Sequence, residues 1–256
     1  MVYQIGICTV KQVDEYLKDG IDCGCVLHGD YYTLEYAEIL ESSLRRNFSC
    51  PIRFHIWTES ARQVPTHWHK HELKDLGVQG PKKSWWYKTQ LFRNKLFQGR
   101  LFYFDLDLVI TGNLDWMLRL SKEQFWAVRD FRYLWKKSKW SINSSIMVFD
   151  TNEYSELWKK FKRNHHAIMS QYNGDQDYVD AEVPEAKKRW LDQNFVKSYR
   201  WEVMDGGMDF VYRSYPNKGK DRKHIFKDLS IIVFHGVPNP HEIDDHEVLS
   251  HWRKDK

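Results

Sequence analysis

Leu101-Phe102-Tyr103-Phe104-Asp105-Leu106-Asp107-Leu108-Val109-Ile110 is an apolar run broken twice, both times by aspartate. A short run of this kind reads as a strand buried on both faces, as in a parallel or mixed sheet flanked by helices. Residues two apart on a strand point to the same side, so Asp105 and Asp107 can converge where the strand ends. Two carboxylates in such surroundings need a cation or an opening to solvent. In open α/β sheets, ligands bind outside the carboxyl ends of the strands. A hard divalent ion, Mn²⁺ or Mg²⁺, itself holding a diphosphate, meets both needs.

The same logic recurs near the C-terminus. Ser230–Phe234 is a second buried run, and it ends at His235, followed by Gly236-Val237-Pro238-Asn239-Pro240. A neutral imidazole at a strand end is a suitable third ligand beside two carboxylates.

Upstream, Ile21–His28 reads as a strand that ends at Gly29-Asp30-Tyr31-Tyr32. Thr33 is placed to cap a helix with Tyr36, Ile39, Leu40 and Leu44 on its inner face, and Arg53–Trp57 follows as the next strand. Strand, helix and strand of these lengths make a βαβ unit. Its first turn has neither Gly-x-Gly-x-x-Gly nor a Walker motif, which argues against a dinucleotide oxidoreductase and a P-loop enzyme. Tyr32 instead offers a flat face on which a base can stack.

Further along, Ser84 is expected to cap a helix reaching Phe97, with Trp85, Thr89, Phe92 and Leu96 as its stripe and Trp86 and Lys88 in its early turns. Lys88 is a candidate for a phosphate or ribose contact. Ser141–Phe149 reads as a strand with Asn143 and Ser144 near its start. Asp150 and Glu153 read as a capping box for the helix that follows. Gly174 permits a tight turn into another helix, which opens with Asp175, Gln176 and Asp177.

At 256 residues and 31.0 kDa the chain suits one large α/β domain, residues 21–256, with 1–20 as an N-terminal extension or edge element. A net charge of +4 fits an anionic ligand without the concentrated basicity of a nucleic-acid binder. Of the four cysteines only Cys23 and Cys25 are close, which is no zinc pattern. No secretory leader and no membrane-spanning run are legible, so a cytoplasmic protein with reduced thiols is expected. His67, His69 and His71 alternate in polar surroundings and read as a solvated strand or loop. The basic, aromatic segment 129–140 is read either as a face toward an acceptor or as a mobile loop, and 216–223 has a loop's composition.

Six short motifs, in order, carry a family resemblance: Val26-Leu27-His28-Gly29-Asp30-Tyr31-Tyr32, Trp86-Tyr87-Lys88, Phe104-Asp105-Leu106-Asp107, Asn143-Ser144-Ser145, Gly174-Asp175-Gln176-Asp177 and Phe234-His235-Gly236-Val237-Pro238-Asn239-Pro240. In these the chain resembles nucleotide-sugar glycosyltransferases of the GT-A fold, and more narrowly glycosyltransferase family 8 and related bacterial and phage proteins. The resemblance implies a Rossmann-like α/β domain with a mostly parallel central sheet. It implies transfer of a hexose-type sugar from a UDP-sugar to a hydroxyl on a glycan, lipid or protein, with retention favoured over inversion. Asp105, Asp107 and His235 would hold Mn²⁺ or Mg²⁺. Gly29, Asp30, Tyr32, Trp86 and Lys88 would surround the nucleotide and diphosphate. Asn143 and Ser144 would meet the donor sugar, with Asp175 and Gln176 at the anomeric carbon. Gly236 and Asn239 would approach the phosphates, although family 8 usually carries a lysine where this chain has Asn239. Two other readings stand beside this one: a non-catalytic nucleotide-sugar or carbohydrate-binding protein of the same fold, and a nucleic-acid-binding domain.

Overall fold

The computed structural model describes residues 10–78, 81–93, 97–134, 141–204 and 225–255. Helix α1 (Val10–Asp19) leads into strand β1 (Ile21–Leu27), then α2 (Leu34–Asn47) and β2 (Ile52–Thr58), which gives the expected βαβ unit. Thr33 takes the cap position of α2 in extended backbone, though its side chain makes no capping bond. Strand β3 (His69–Glu72) adds beside β2 at the sheet edge, and a long 3₁₀ helix covers Pro81–Phe92.

The decisive run is not one strand. It splits into β4 (Arg100–Phe104) and β5 (Leu108–Ile110), and each joins a different sheet. β6 (Phe125–Arg129), β7 (Ile142–Asp150), α3 (Ser155–Gln171), α4 (Asp175–Glu182), β8 (Lys188–Trp190), β9 (Val196–Ser198), β10 (Ile231–Val233) and the short α5 (His246–Leu249) follow. The large sheet has the order β3-β2-β1-β4-β7-β6-β8, with β7 alone running against the rest. The small sheet is β5-β10-β9. The predicted α/β class with a mostly parallel central sheet is what the chain adopts.

Burial of β4 on both faces is complete. Leu101, Phe102, Tyr103 and Phe104 are each 0% exposed. Phe102 and Phe104 pack with Cys25, Leu44 and Phe54, whereas Leu101 and Tyr103 pack with Phe92, Phe149 and Phe161. Alternate side chains thus feed two apolar layers, one on each face of the sheet. α1 belongs to the first layer through Tyr16, whose hydroxyl accepts a hydrogen bond from Arg100 at 3.0 Å.

Two local expectations give way. The Asp150–Glu153 capping box does not form: Asp150 Oδ1 accepts from the Asn152 backbone at 2.9 Å, and α3 starts one turn later with Tyr154 at its cap. An aspartate closing its own turn two residues on competes directly with helix initiation. The helix at Ser84–Phe97 is 3₁₀ over Pro81–Phe92, with three residues per turn. Trp86, Thr89 and Phe92 therefore line up as the buried row, and Trp85 turns outward at 37% exposure. Residues 1–9 of the N-terminal extension, Leu96 of the expected helical stripe, the basic residues 135–140 and the loop 216–223 lie outside the described residues.

Candidate active site

The break between β4 and β5 places the two aspartates at a junction of sheets. The Asp105 backbone N–H still donates to Ser145 of β7 at 2.8 Å, while the Asp107 carbonyl accepts from Phe234, next to β10, at 3.2 Å. Asp105 thus stays with the large sheet and Asp107 goes with the small one.

Three other segments meet Asp105 through Lys88. The Lys88 ammonium, from the 3₁₀ helix, donates to Asp105 Oδ2 at 2.7 Å and to Ser144 Oγ at 3.2 Å. It also lies 3.9 Å from Asp175 Oδ2, at the first residue of α4. Tyr103 donates to Asp105 Oδ1 at 2.5 Å. Burial by itself would lower the Lys88 pKa, but Asp105 and Asp175 outweigh it and raise it, so the lysine is charged. Burial raises the Asp175 carboxyl, against the opposing pull of Lys88 and Ser144. Asp175 Oδ2 has no hydrogen-bond partner although it is buried.

Asp107 faces a second group. Its carboxyl is pushed up to about 7, first by burial and then by the charge of Asp105. The Tyr32 hydroxyl lies 3.1 Å from both Asp107 Oδ2 and Asn239 Oδ1. Asn239 donates in turn to Tyr31 and to Glu242, at 3.1 and 3.0 Å. The β1 loop before Tyr32 is clamped from β2's end: Glu59 Oε1 accepts from Gly29 N at 2.5 Å, and Arg62 donates to the Gly29 carbonyl at 2.7 Å. Gly29 needs the left-handed backbone it adopts, with φ of 71°. Asp30 is exposed, 4.0 Å from Arg62.

The other expected site residues make contacts of their own. Trp86 is 2% exposed and stacks on Phe161 in the core. Asn143 Oδ1 turns inward to accept from Ser145 N at 3.0 Å. Gln176 follows Asp175 in α4 and is half-buried. Gly236, at φ 84°, sits against Arg200. His235 stacks on Phe131 at 5.2 Å, and its Nε2 is 2.6 Å from Ser198 Oγ. Burial and Arg200 push His235 down to about 4, so its imidazole is neutral. Ser198 also accepts from Trp201 N at 3.1 Å, in the π-helical turn Tyr199–Val203. Among the described residues, no three His, Cys, Asp or Glu side chains close into a metal site.

Glu59, Arg62, Ser198 and Trp85 were not among the residues singled out for the site. Glu59 and Arg62 had a signal, an acidic and a basic residue just past a strand that neighbours β1. The alternating histidines have partners: His71 Nε2 lies 2.8 Å from His55 Nδ1, His55 Nε2 lies 2.9 Å from Asp22, and His67 pairs with Glu41.

Neither a family model nor a curated protein sequence matches the chain. Solved structures do. The galactosyltransferase LgtC, in complex with donor and acceptor sugar analogs, superposes with a TM-score of 0.59 at 13% identity, covering 91% of this chain and 92% of that one. The glycosyltransferase GlyE of Streptococcus pneumoniae TIGR4 gives 0.61 at 14% identity, covering 91% of this chain and 60% of that one. The bifunctional glycosyltransferase WbbM gives 0.55 at 12% identity, covering 86% and 46%. The fold is the GT-A fold of these proteins.

Proposed function

We propose that the chain is a glycosyltransferase that moves a hexose-type sugar from a UDP-sugar to a hydroxyl acceptor on a glycan, lipid or protein. The observation that carries this reading is the meeting of Lys88, Asp105, Ser144 and Asp175 at the carboxyl end of a GT-A sheet. Lys88, Asp105 and Asp175 are ionisable groups drawn together in a poorly hydrated place, an arrangement that clusters at functional sites.

The donor set fits a divalent cation in part. Asp105 and Asp107 are hard oxygen donors and would hold Mn²⁺ or Mg²⁺, with both Asp105 oxygens first released from Lys88 and Tyr103. His235 is chemically suited as a neutral imidazole, but its Nε2 is engaged by Ser198. Such an ion would supply Lewis-acid stabilisation of the departing diphosphate. Tyr32, with Gly29 and Asp30, offers the lip for the base, and Asn239 and Gly236 the opposite lip for phosphate. Lys88 adds fixed positive charge where negative charge builds on the leaving group. Asp175, whose Oδ2 lacks a hydrogen bond and lies 3.9 Å from the Lys88 ammonium, is placed to stabilise an oxocarbenium-like centre, with Gln176 beside it. Its tie to Lys88 suits charge stabilisation better than proton removal, which supports retention.

The test is UDP release from a panel of UDP-sugars, with Mn²⁺ and with EDTA, beside Asp107→Ala and His235→Ala. Metal-dependent release lost in both variants is expected. No release from any donor, together with no UDP binding, would sink the reading.

A further inference from the structure

The 3₁₀ geometry of Pro81–Phe92 sets Trp85 and Lys88 one turn apart, on the same face of the helix. Two neighbours in the opposing chain meet them. A Cβ built on Gly174 would lie 3.2 Å from Trp85 Nε1 and 3.6 Å from Cδ1, so the indole rests on the Gly174 backbone. The next residue, Asp175, faces Lys88 at 3.9 Å. Gly174 has φ of −169° and ψ of 177°, extended backbone open to any residue. Its lack of a side chain therefore serves the approach of Trp85, not the turn. Trp85 is also 37% exposed, whereas its neighbours Trp86 and Tyr87 are each 2% exposed. A large flat side chain, fixed from behind and open in front, stands beside a buried carboxylate oxygen that lacks a hydrogen-bond partner.

We infer that Trp85 is a carbohydrate-stacking platform, holding the apolar face of a pyranose ring next to Asp175. The flat indole matches the C–H face of a hexose, and it rests against Gly174, the residue before Asp175. This inference rests on the glycosyltransferase reading for the reaction, but not for sugar binding itself. The ring belongs to the donor or to the acceptor, which share this chemistry.

The experiment compares wild type, Trp85→Ala and Trp85→Phe. Each is titrated with UDP, with a panel of UDP-sugars and with an array of free oligosaccharides, and each is assayed for transfer wherever wild type turns over. UDP affinity is expected to be unchanged in both variants. Sugar-dependent affinity, or the KM of one substrate, is expected to weaken about tenfold or more in Trp85→Ala and by less in Trp85→Phe, which keeps an aromatic face. A loss confined to UDP-sugars assigns the donor ring, and a loss confined to oligosaccharides or the acceptor KM assigns the acceptor. Trp85-dependent oligosaccharide binding without any transfer would uphold the platform while the enzymatic reading fails. Unchanged sugar affinity and KM in a folded Trp85→Ala would overturn the platform and leave the enzymatic reading intact. Wild type that binds neither UDP-sugars nor oligosaccharides would overturn both.

Discussion

The Lys88 ammonium lies 2.7 Å from Asp105 Oδ2, with the lysine side chain 12% exposed and the carboxylate 17%. A pair this buried is expensive to break from one side. Lys88→Met leaves Asp105 and Asp175 facing each other without their cation. Its expected cost is roughly 3–5 kcal/mol of folding stability, together with loss of transfer. Lys88→Arg keeps the charge and should cost less. Urea unfolding of the two variants checks this, and a Lys88→Met protein as stable as wild type would contradict the buried cluster.

The Tyr32 hydroxyl ties the loop after β1 to Asp107 and to Asn239. Tyr32→Phe keeps the ring and removes that link. A loss of about 1 kcal/mol in stability is expected. A double-mutant cycle with Asn239→Ala should show coupling, since both residues share one network. Strict additivity would place the hydroxyl elsewhere.

Acid stability follows from Asp22. Burial raises its carboxyl, but hydrogen bonds from Arg53 and His55 outweigh that and bring it to about 2, below the ordinary 3.8. A folded-state value below the unfolded one stabilises above pH 3.8, and the benefit fades as pH falls toward 2. Asp22→Asn should therefore lose roughly 1–2 kcal/mol at neutral pH. The gap to wild type should close near pH 2. Thermal melts across that range read it directly.

Gly24 sits where β1 meets β2. A Cβ there would lie 2.7 Å from Trp57 Cζ3 and 2.8 Å from the His55 carbonyl oxygen. Both neighbours are buried, so neither can yield cheaply. Gly24→Ala is expected to cost roughly 1–3 kcal/mol by overpacking, measured by the shift in urea midpoint.

Much of the sheet was legible because its buried strands are written as unbroken apolar runs. Residues 21–28, 53–57, 125–128 and 141–149 each form a strand within a residue or two of the reading. The break at Asp105–Asp107 was not legible, since Leu108-Val109-Ile110 would suit either sheet and only β10 decides which. The 3₁₀ helix escaped for a related reason. In Trp85-Trp86-Tyr87-Lys88-Thr89-Gln90-Leu91-Phe92 apolar residues fall on every side, so a period of three and one of 3.6 fit about equally well. That choice exchanged the places of Trp85 and Trp86. Asp105, Lys88, Ser144 and Asp175 were legible as a set only through the order of their motifs, because contact between four distant segments leaves no local trace.

The three-residue pitch of Pro81–Phe92 also constrains how this segment can evolve. One residue inserted between Trp85 and Tyr87 swings the lysine about 120° around the helix and presents the Tyr87 ring to Asp105 instead. Length changes among descendants of a common ancestor should therefore collect outside 81–92, however freely the side chains between them drift. An alignment of relatives that opens a gap there has lost its register.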